Sequence, residues 1–213
     1  MPRDFQGHSG RFSSRLVTER VTGLVLAAGG SRRLGRPKQL LPYCDGTLLG
    51  AVLNTARSCR FDQLLVALGG ASAQVRDQVD LSGCIAVENP AYGSGCSSSI
   101  AAAVPLVALE SEVLVLLLGD QPGVTADTVR LLLQGQGDAP MAVCRYQDGV
   151  GHPFAFRREM LPVLGGLHGD KAVWKLLSEL SERVAEVAVP SAVPHDVNTE
   201  EDYQQLLNSA AGR

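Results

Sequence analysis

Residues 21–42 read VTGLVLAAGGSRRLGRPKQLLP. An apolar strand-like run gives way after Leu26 to a glycine-bearing loop with four cations, Arg32, Arg33, Arg36 and Lys38, and no acidic residue. Glycines such as Gly29 and Gly30 let backbone N–H groups close on an anion. A helix N-terminus behind them would add to the field. Arg32, Arg33 and Lys38 can give charge-assisted hydrogen bonds to phosphate oxygens. The glycines at 29, 30 and 35 match neither G-x-x-x-x-G-K-[ST] nor G-x-G-x-x-G. The loop reads as an anion site of another build.

Outward from this loop, further short apolar runs read as buried strands: 63–70, 84–90, 113–120, 141–146 and 153–158, with a weaker one at 185–190. Helical spacing fills the intervals at 48–59, 97–109, 125–135, 170–184 and 199–210. Strands alternating with helices predict a largely parallel sheet covered on both faces. The strands flanking QDGVGH (147–152) suit a hairpin, which would make the sheet mixed. Ligands of such sheets bind beyond the strand C-termini. A single domain over 20–213 is expected, with a polar flexible tail over 1–19.

The chain has 213 residues, 45% hydrophobic and 19% charged, with a formal net charge of −3. That balance argues against a nucleic-acid binder. No apolar run suits a membrane span, and the polar N-terminus lacks a secretory h-region. Five scattered cysteines without metal spacing read as reduced thiols of a cytoplasmic protein.

The wording of residues 26–42 resembles the L-A-A-G-x-S-x-R-x-G-x-P-K-x-L-L-P signature of nucleotidyltransferases, above all the molybdenum cofactor cytidylyltransferases and their guanylyltransferase relatives. The resemblance spans roughly residues 22–207. It implies a three-layer α/β/α, Rossmann-like fold. It places Ala27, Ala28, Gly29 and Gly30 along the nucleotide, Arg33 at the β/γ-phosphates and Lys38 at the α-phosphate. Arg32 and Arg36 fall at variable positions and suit solvated charges equally well.

Asp120 ends the most apolar strand, in VLVLLLGDQP (113–122), where an aspartate is well placed to bind Mg2+; GDQP also resembles the family's G-D-x-P metal motif. HDVNTEEDY (195–203) resembles D-[IV]-[DN]-T-P-E-D, so Asn198 or Asp196 is expected as a second ligand, with the choice open. Thr199 and Asp202 have a simpler reading as a helix cap. ENPAYGSGCSSSI (88–100) resembles the segment facing base and ribose, implicating Asn89, Gly95, Ser97 and Ser98, with Gly69 and Gly70 bordering the base. GHP implicates His152, placed before a strand, and HGDKAVWKLL (168–177) implicates Asp170 and Lys171, all on the acceptor side. Trp174 reads as core rather than a stacking platform.

The resemblance implies Mg2+-dependent transfer of CMP from CTP to the terminal phosphate of molybdopterin, with release of pyrophosphate. A molybdenum hydroxylase or its chaperone would be a partner. The alternatives are a GTP-using guanylyltransferase, a sugar-phosphate nucleotidyltransferase, and a non-catalytic nucleotide sensor or molybdenum-enzyme chaperone.

Overall fold

The computed structural model describes residues 19–211; apart from Glu19, the expected tail lies outside the described residues. The elements are β1 (Val21–Leu26), β2 (Pro42–Tyr43), β3 (Gly46–Thr47), α1 (Leu48–Ser58), β4 (Gln63–Leu68), α2 (Ser72–Gln78), β5 (Ile85–Glu88), α3 (Cys96–Ala103), β6 (Val113–Leu118), α4 (Ala126–Gln136), β7 (Met141–Arg145), β8 (Val150–Arg157), α5 (Leu161–Gly165), α6 (Ala172–Glu179), β9 (Val184–Ala188) and α7 (Glu200–Ala211). Seven strands form one sheet in the order β5-β4-β1-β6-β8-β7-β9, and β2 and β3 pair as a separate small ribbon. In the seven-stranded sheet β8 runs antiparallel to β6 and β7 and the other pairings are parallel; β2 and β3 pair antiparallel. The expected mixed sheet is therefore present.

Alternate residues of each apolar run go to opposite faces, because strand side chains alternate. Val113, Val115 and Leu117 pack with Leu49, Val52 and Leu53 of α1 and Val129 and Leu132 of α4. Leu114 and Leu116 pack with Phe154, Phe156, Ile100 of α3 and Leu176 and Leu177 of α6. This gives the α/β/α layering. Each fully buried leucine of these faces contributes roughly 1.5–3 kcal/mol. Thr47 caps α1 by accepting the Gly50 N–H at 3.1 Å, and Thr125 caps α4 by accepting the Thr128 N–H at 3.2 Å.

Three local expectations shift. The helix expected over 97–109 ends at Ala103 and continues as a 3-10 turn over Val104–Leu106; Pro105 has no N–H with which to continue the ladder. β8 starts at Val150, so His152 lies inside a strand rather than before it. Trp174 is 41% exposed, not core; α6 buries Val173, Leu176 and Leu177 at helical spacing and turns Trp174 outward. Among the described residues no helix is long and apolar enough to cross a membrane.

Candidate active site

From β1 the sheet continues to β4 and β5 on one side and to β6 on the other, so β1 and β6 flank the point where strand order reverses. Their C-terminal ends lie side by side, and a cleft of about 680 Å³ opens beyond them. The two following loops touch. A Cβ on Gly119 would come within 2.9 Å of the Ala27 Cβ and 3.0 Å of Leu26 O, so only glycine allows this approach. Ala27 and Asp120 are thereby neighbours in the cleft wall.

Gln39 holds the loop after β1 from beneath: its Nε2 donates to Ala27 O at 2.6 Å and to Gly29 O at 3.0 Å. The Lys38 N–H donates to Ser31 Oγ at 2.9 Å. These bonds aim the Lys38 side chain across the cleft. Its Nζ donates to Asp120 Oδ2, to Val197 O at 3.0 Å and to Asn198 Oδ1 at 3.2 Å. Asn198 Nδ2 in turn donates to Asp196 Oδ2 at 2.6 Å. Burial pushes the Asp120 carboxyl above the usual carboxylate range, and the Lys38 ammonium opposes that push.

The segment bearing Asn198 is fixed by the cap read from sequence. The N–H groups of Asn198 and Thr199 donate to Asp202 Oδ2 at 2.9 and 2.8 Å, and the Asp202 N–H donates to Thr199 Oγ1 at 3.2 Å. Despite burial, which works the other way, these N–H groups hold the Asp202 carboxyl below its ordinary range. α7 also reaches back to the first loop. Arg36 donates to Glu200 Oε2 at 2.8 Å, its guanidinium carbon lies 5.8 Å from the Tyr203 ring centre, and Tyr203 Oη donates to Pro42 O at 2.6 Å. Arg36 is a staple between loop and helix. Arg33 stays exposed at the cleft.

Of the residues singled out in the sequence, Ala27, Ala28, Gly29, Gly30, Arg33, Lys38, Gly95, Asp120, Asp170, Lys171, Asp196 and Asn198 line this cleft. Gly70 lines a neighbouring cavity. Asn89, Ser97 and Ser98 lie behind the wall. Asn89 Nδ2 donates to the hydroxyls of Ser98 and Ser99, and Ser97 Oγ donates to Gly169 O. The Asp170 carboxylate accepts the Cys96 N–H at 2.9 Å and so pins the loop before α6 to the start of α3. His152 is outside the cleft lining. Its ring stacks on Phe154 at 3.9 Å and meets Trp174 edge-on at 6.0 Å, and burial pushes its pKa down to about 3.

Sequence reading missed Ser31, Tyr92, Cys96 and Ser99 in the wall. The serine-rich run and the turn at 89–95 were visible; their facing direction was not. Burial, with the Asp170 and Asp120 carboxylates nearby, pushes the Cys96 thiol up to about 11, so it is protonated at neutral pH and no ready nucleophile. Among the described residues no group of three or more His, Cys, Asp or Glu side chains could hold a metal ion. Oxygens of mixed type gather instead, around the Lys38 ammonium.

Residues 23–184 match the model of the MobA-like NTP transferase domain. The chain belongs to that family. This MobA-like protein is a nucleotidyltransferase with a Rossmann-like α/β fold. It is 45% identical to Rv0371c of Mycobacterium tuberculosis, solved in complex with manganese; the match covers 89% of this chain and 98% of that one, with a TM-score of 0.79. It is 29% identical to a nicotine blue oxidoreductase of Paenarthrobacter nicotinovorans over 88% of this chain and 96% of that protein. It is also 29% identical to the molybdenum cofactor cytidylyltransferase of Escherichia coli, over 65% of this chain and 70% of that protein.

Proposed function

We propose that this MobA-like protein transfers CMP from CTP to the terminal phosphate of molybdopterin carrying molybdenum and releases pyrophosphate. The observation that carries the reading is the convergence of Lys38, Asp120, Val197 O and Asn198 Oδ1 beside the glycine loop. The Lys38 ammonium itself fills this cluster of three oxygens; on turning to a phosphate it would leave them to a hard divalent ion, which oxygen donors suit. Asp120 and Asn198, with Asp196 against the Asn198 amide, would hold Mg2+. When bound, the ion neutralises charge on the phosphates.

Lys38 and Arg33 complete the work by position and charge. Lys38 would turn to the α-phosphate of a nucleotide lying along Ala27–Gly30, and Arg33, exposed at the cleft, would meet the β- and γ-phosphates. The attacking phosphate is already an anion at neutral pH, so the chain need supply no nucleophile or strong base. A protonated Cys96 and a neutral His152 outside the cleft lining agree with this. Catalysis is then orientation plus stabilisation of the charge that builds in the transition state. Asp170 positions the acceptor loop, leaving Lys171 to face the acceptor.

CTP is favoured by the Leu26-Ala27-Ala28-Gly29 wording and the Gly151-His152-Pro153 element, and by the name of the Escherichia coli relative. A molybdenum hydroxylase or its chaperone would receive the product. The test is pyrophosphate release from CTP, GTP, ATP and UTP with molybdenum cofactor as acceptor. Turnover with CTP is expected. Turnover with GTP alone overturns the base assignment, and none with any pair favours a sensor.

A further inference from the structure

Gln121 follows Asp120 in the turn after β6 and is 5% exposed. Its Nε2 donates to Pro194 O at 3.0 Å. Its Oε1 is buried, and no protein donor reaches it. Among the described residues one other buried side-chain oxygen shares that state, Oε1 of Gln39. Gln39 likewise gives its amide nitrogen to the carbonyls of a loop, the one after β1. Two buried glutamines thus brace the cleft, each through its nitrogen and each with its oxygen left bare.

An unpaired buried oxygen costs stability, and a methionine of similar length would fill the space without that cost. The amide at 121 therefore reads as kept for its donor. What the donor holds is the stretch 194–198, which belongs to no helix or strand. This stretch brings Asp196, Val197 O and Asn198 to the cleft. Downstream it is tied to Asp202, and upstream the Val193 N–H donates to Asp148 Oδ1 at 2.7 Å. Between those ends it is gripped by the turn after β6. Gln121 takes Pro194 O, Asp120 O accepts the Val197 N–H at 3.2 Å, and a Cβ on Gly123 would come within 3.1 Å of Pro194 Cβ. Gln121 itself is outside the cleft lining.

We infer that Gln121 is a positioning residue: through Pro194 it sets how far Asp196, Val197 O and Asn198 reach toward Lys38 and Asp120. Groups one step behind metal ligands fix where those ligands point. The inference rests on the proposed role of this oxygen cluster as the place of a divalent ion.

The test compares Gln121→Met with wild type, as the full chain, in three measurements. Urea unfolding should show the same or a higher midpoint, because the bare oxygen is gone and half-buried Pro194 can turn its carbonyl to water. Amide hydrogen exchange at Val197 should quicken about fivefold to tenfold, as for an opening easier by one hydrogen bond, and stay unchanged in the sheet. Titration with Mn2+ alone, followed by electron paramagnetic resonance, should show affinity about tenfold weaker. Gly123→Ala, which presses on Pro194 from the same turn, should move exchange and affinity in the same direction. Wild-type exchange and Mn2+ affinity in Gln121→Met overturn the inference. So does a lowered midpoint with faster exchange throughout, which would make Gln121 a packing residue. If wild type takes up no Mn2+, the metal role proposed for the cluster falls instead, and exchange at Val197 still decides for or against Gln121.

Discussion

Replacing Lys38 by Met strands a carboxylate. The Lys38 and Asp120 side chains are only 15% and 12% exposed, so water cannot fully replace the lost ammonium. Breaking a buried pair costs about 3–5 kcal/mol; residual solvent contact puts this one near the lower end, at about 3 kcal/mol. Asp120 can escape the cost by taking a proton, and burial already raises its pKa in the intact protein. A carboxyl whose folded pKa lies above its unfolded value gains stability as pH falls toward the unfolded pKa and loses it as pH rises. With Lys38 gone the raised window widens, at up to about 1.4 kcal/mol per pH unit for one proton. The deficit of Lys38→Met should therefore be largest at pH 8 and shrink steadily toward pH 5. Urea unfolding followed by circular dichroism at pH 8, 7, 6 and 5 measures it. A deficit under about 1 kcal/mol at pH 8, or one that does not vary with pH, refutes the dependence of Asp120 on Lys38. Adding Asp120→Asn should restore most of the loss, because neither charge is then left alone.

Four other outcomes can be checked alongside. The Arg36–Glu200 pair has side chains 52% and 50% exposed, so Arg36→Ala should cost under about 1 kcal/mol and leave kcat/KM nearly unchanged. Arg33→Ala should lower kcat/KM by about tenfold or more; equal losses in pyrophosphate release would refute their separate roles. Gly95 has φ +112° and a Cβ there would meet Asp170 N at 2.8 Å, so Gly95→Ala should lose about 1–3 kcal/mol in urea unfolding. A loss below about 0.5 kcal/mol would mean that the loop bearing Asp170 gives way easily. His152 is held near pKa 3 against an ordinary 6.5, so between those values the unfolded chain binds a proton that the folded chain does not. Stability should fall with falling pH across that window, by up to about 1.4 kcal/mol per unit, and His152→Phe should flatten the slope. Identical slopes would contradict the burial of its imidazole.

The strands were legible because burial on both faces leaves continuous apolar runs, as in VLVLLL of β6. The glycine loop with its cations and Asp120 were legible because their chemistry is written in adjacent residues. Pairings between distant parts of the chain were not. Arg36 looks like a solvated cation until Glu200 and Tyr203 are placed beside it, and no local spacing encodes that meeting. Asp170 and Lys171 are neighbours in sequence, yet the Asp170 carboxylate is engaged by the Cys96 N–H. The aromatic character of Trp174 suggests core, but the helical spacing of Val173, Leu176 and Leu177 decides which face is buried and leaves Trp174 outside it. The β2–β3 ribbon has strands of two residues each, too short to carry a periodic signal.

Lys38 meets Val197 O and Asn198 Oδ1 across 159 and 160 positions of chain. During vectorial synthesis the glycine loop, β1 and β6 emerge long before the segment over 195–203. A nascent chain can thus build most of its sheet while Lys38 still lacks two of its three oxygens. The cluster is completed late, with the docking of the segment before α7, and a product truncated before residue 195 would carry the cations of the loop without two of the oxygens that hold Lys38.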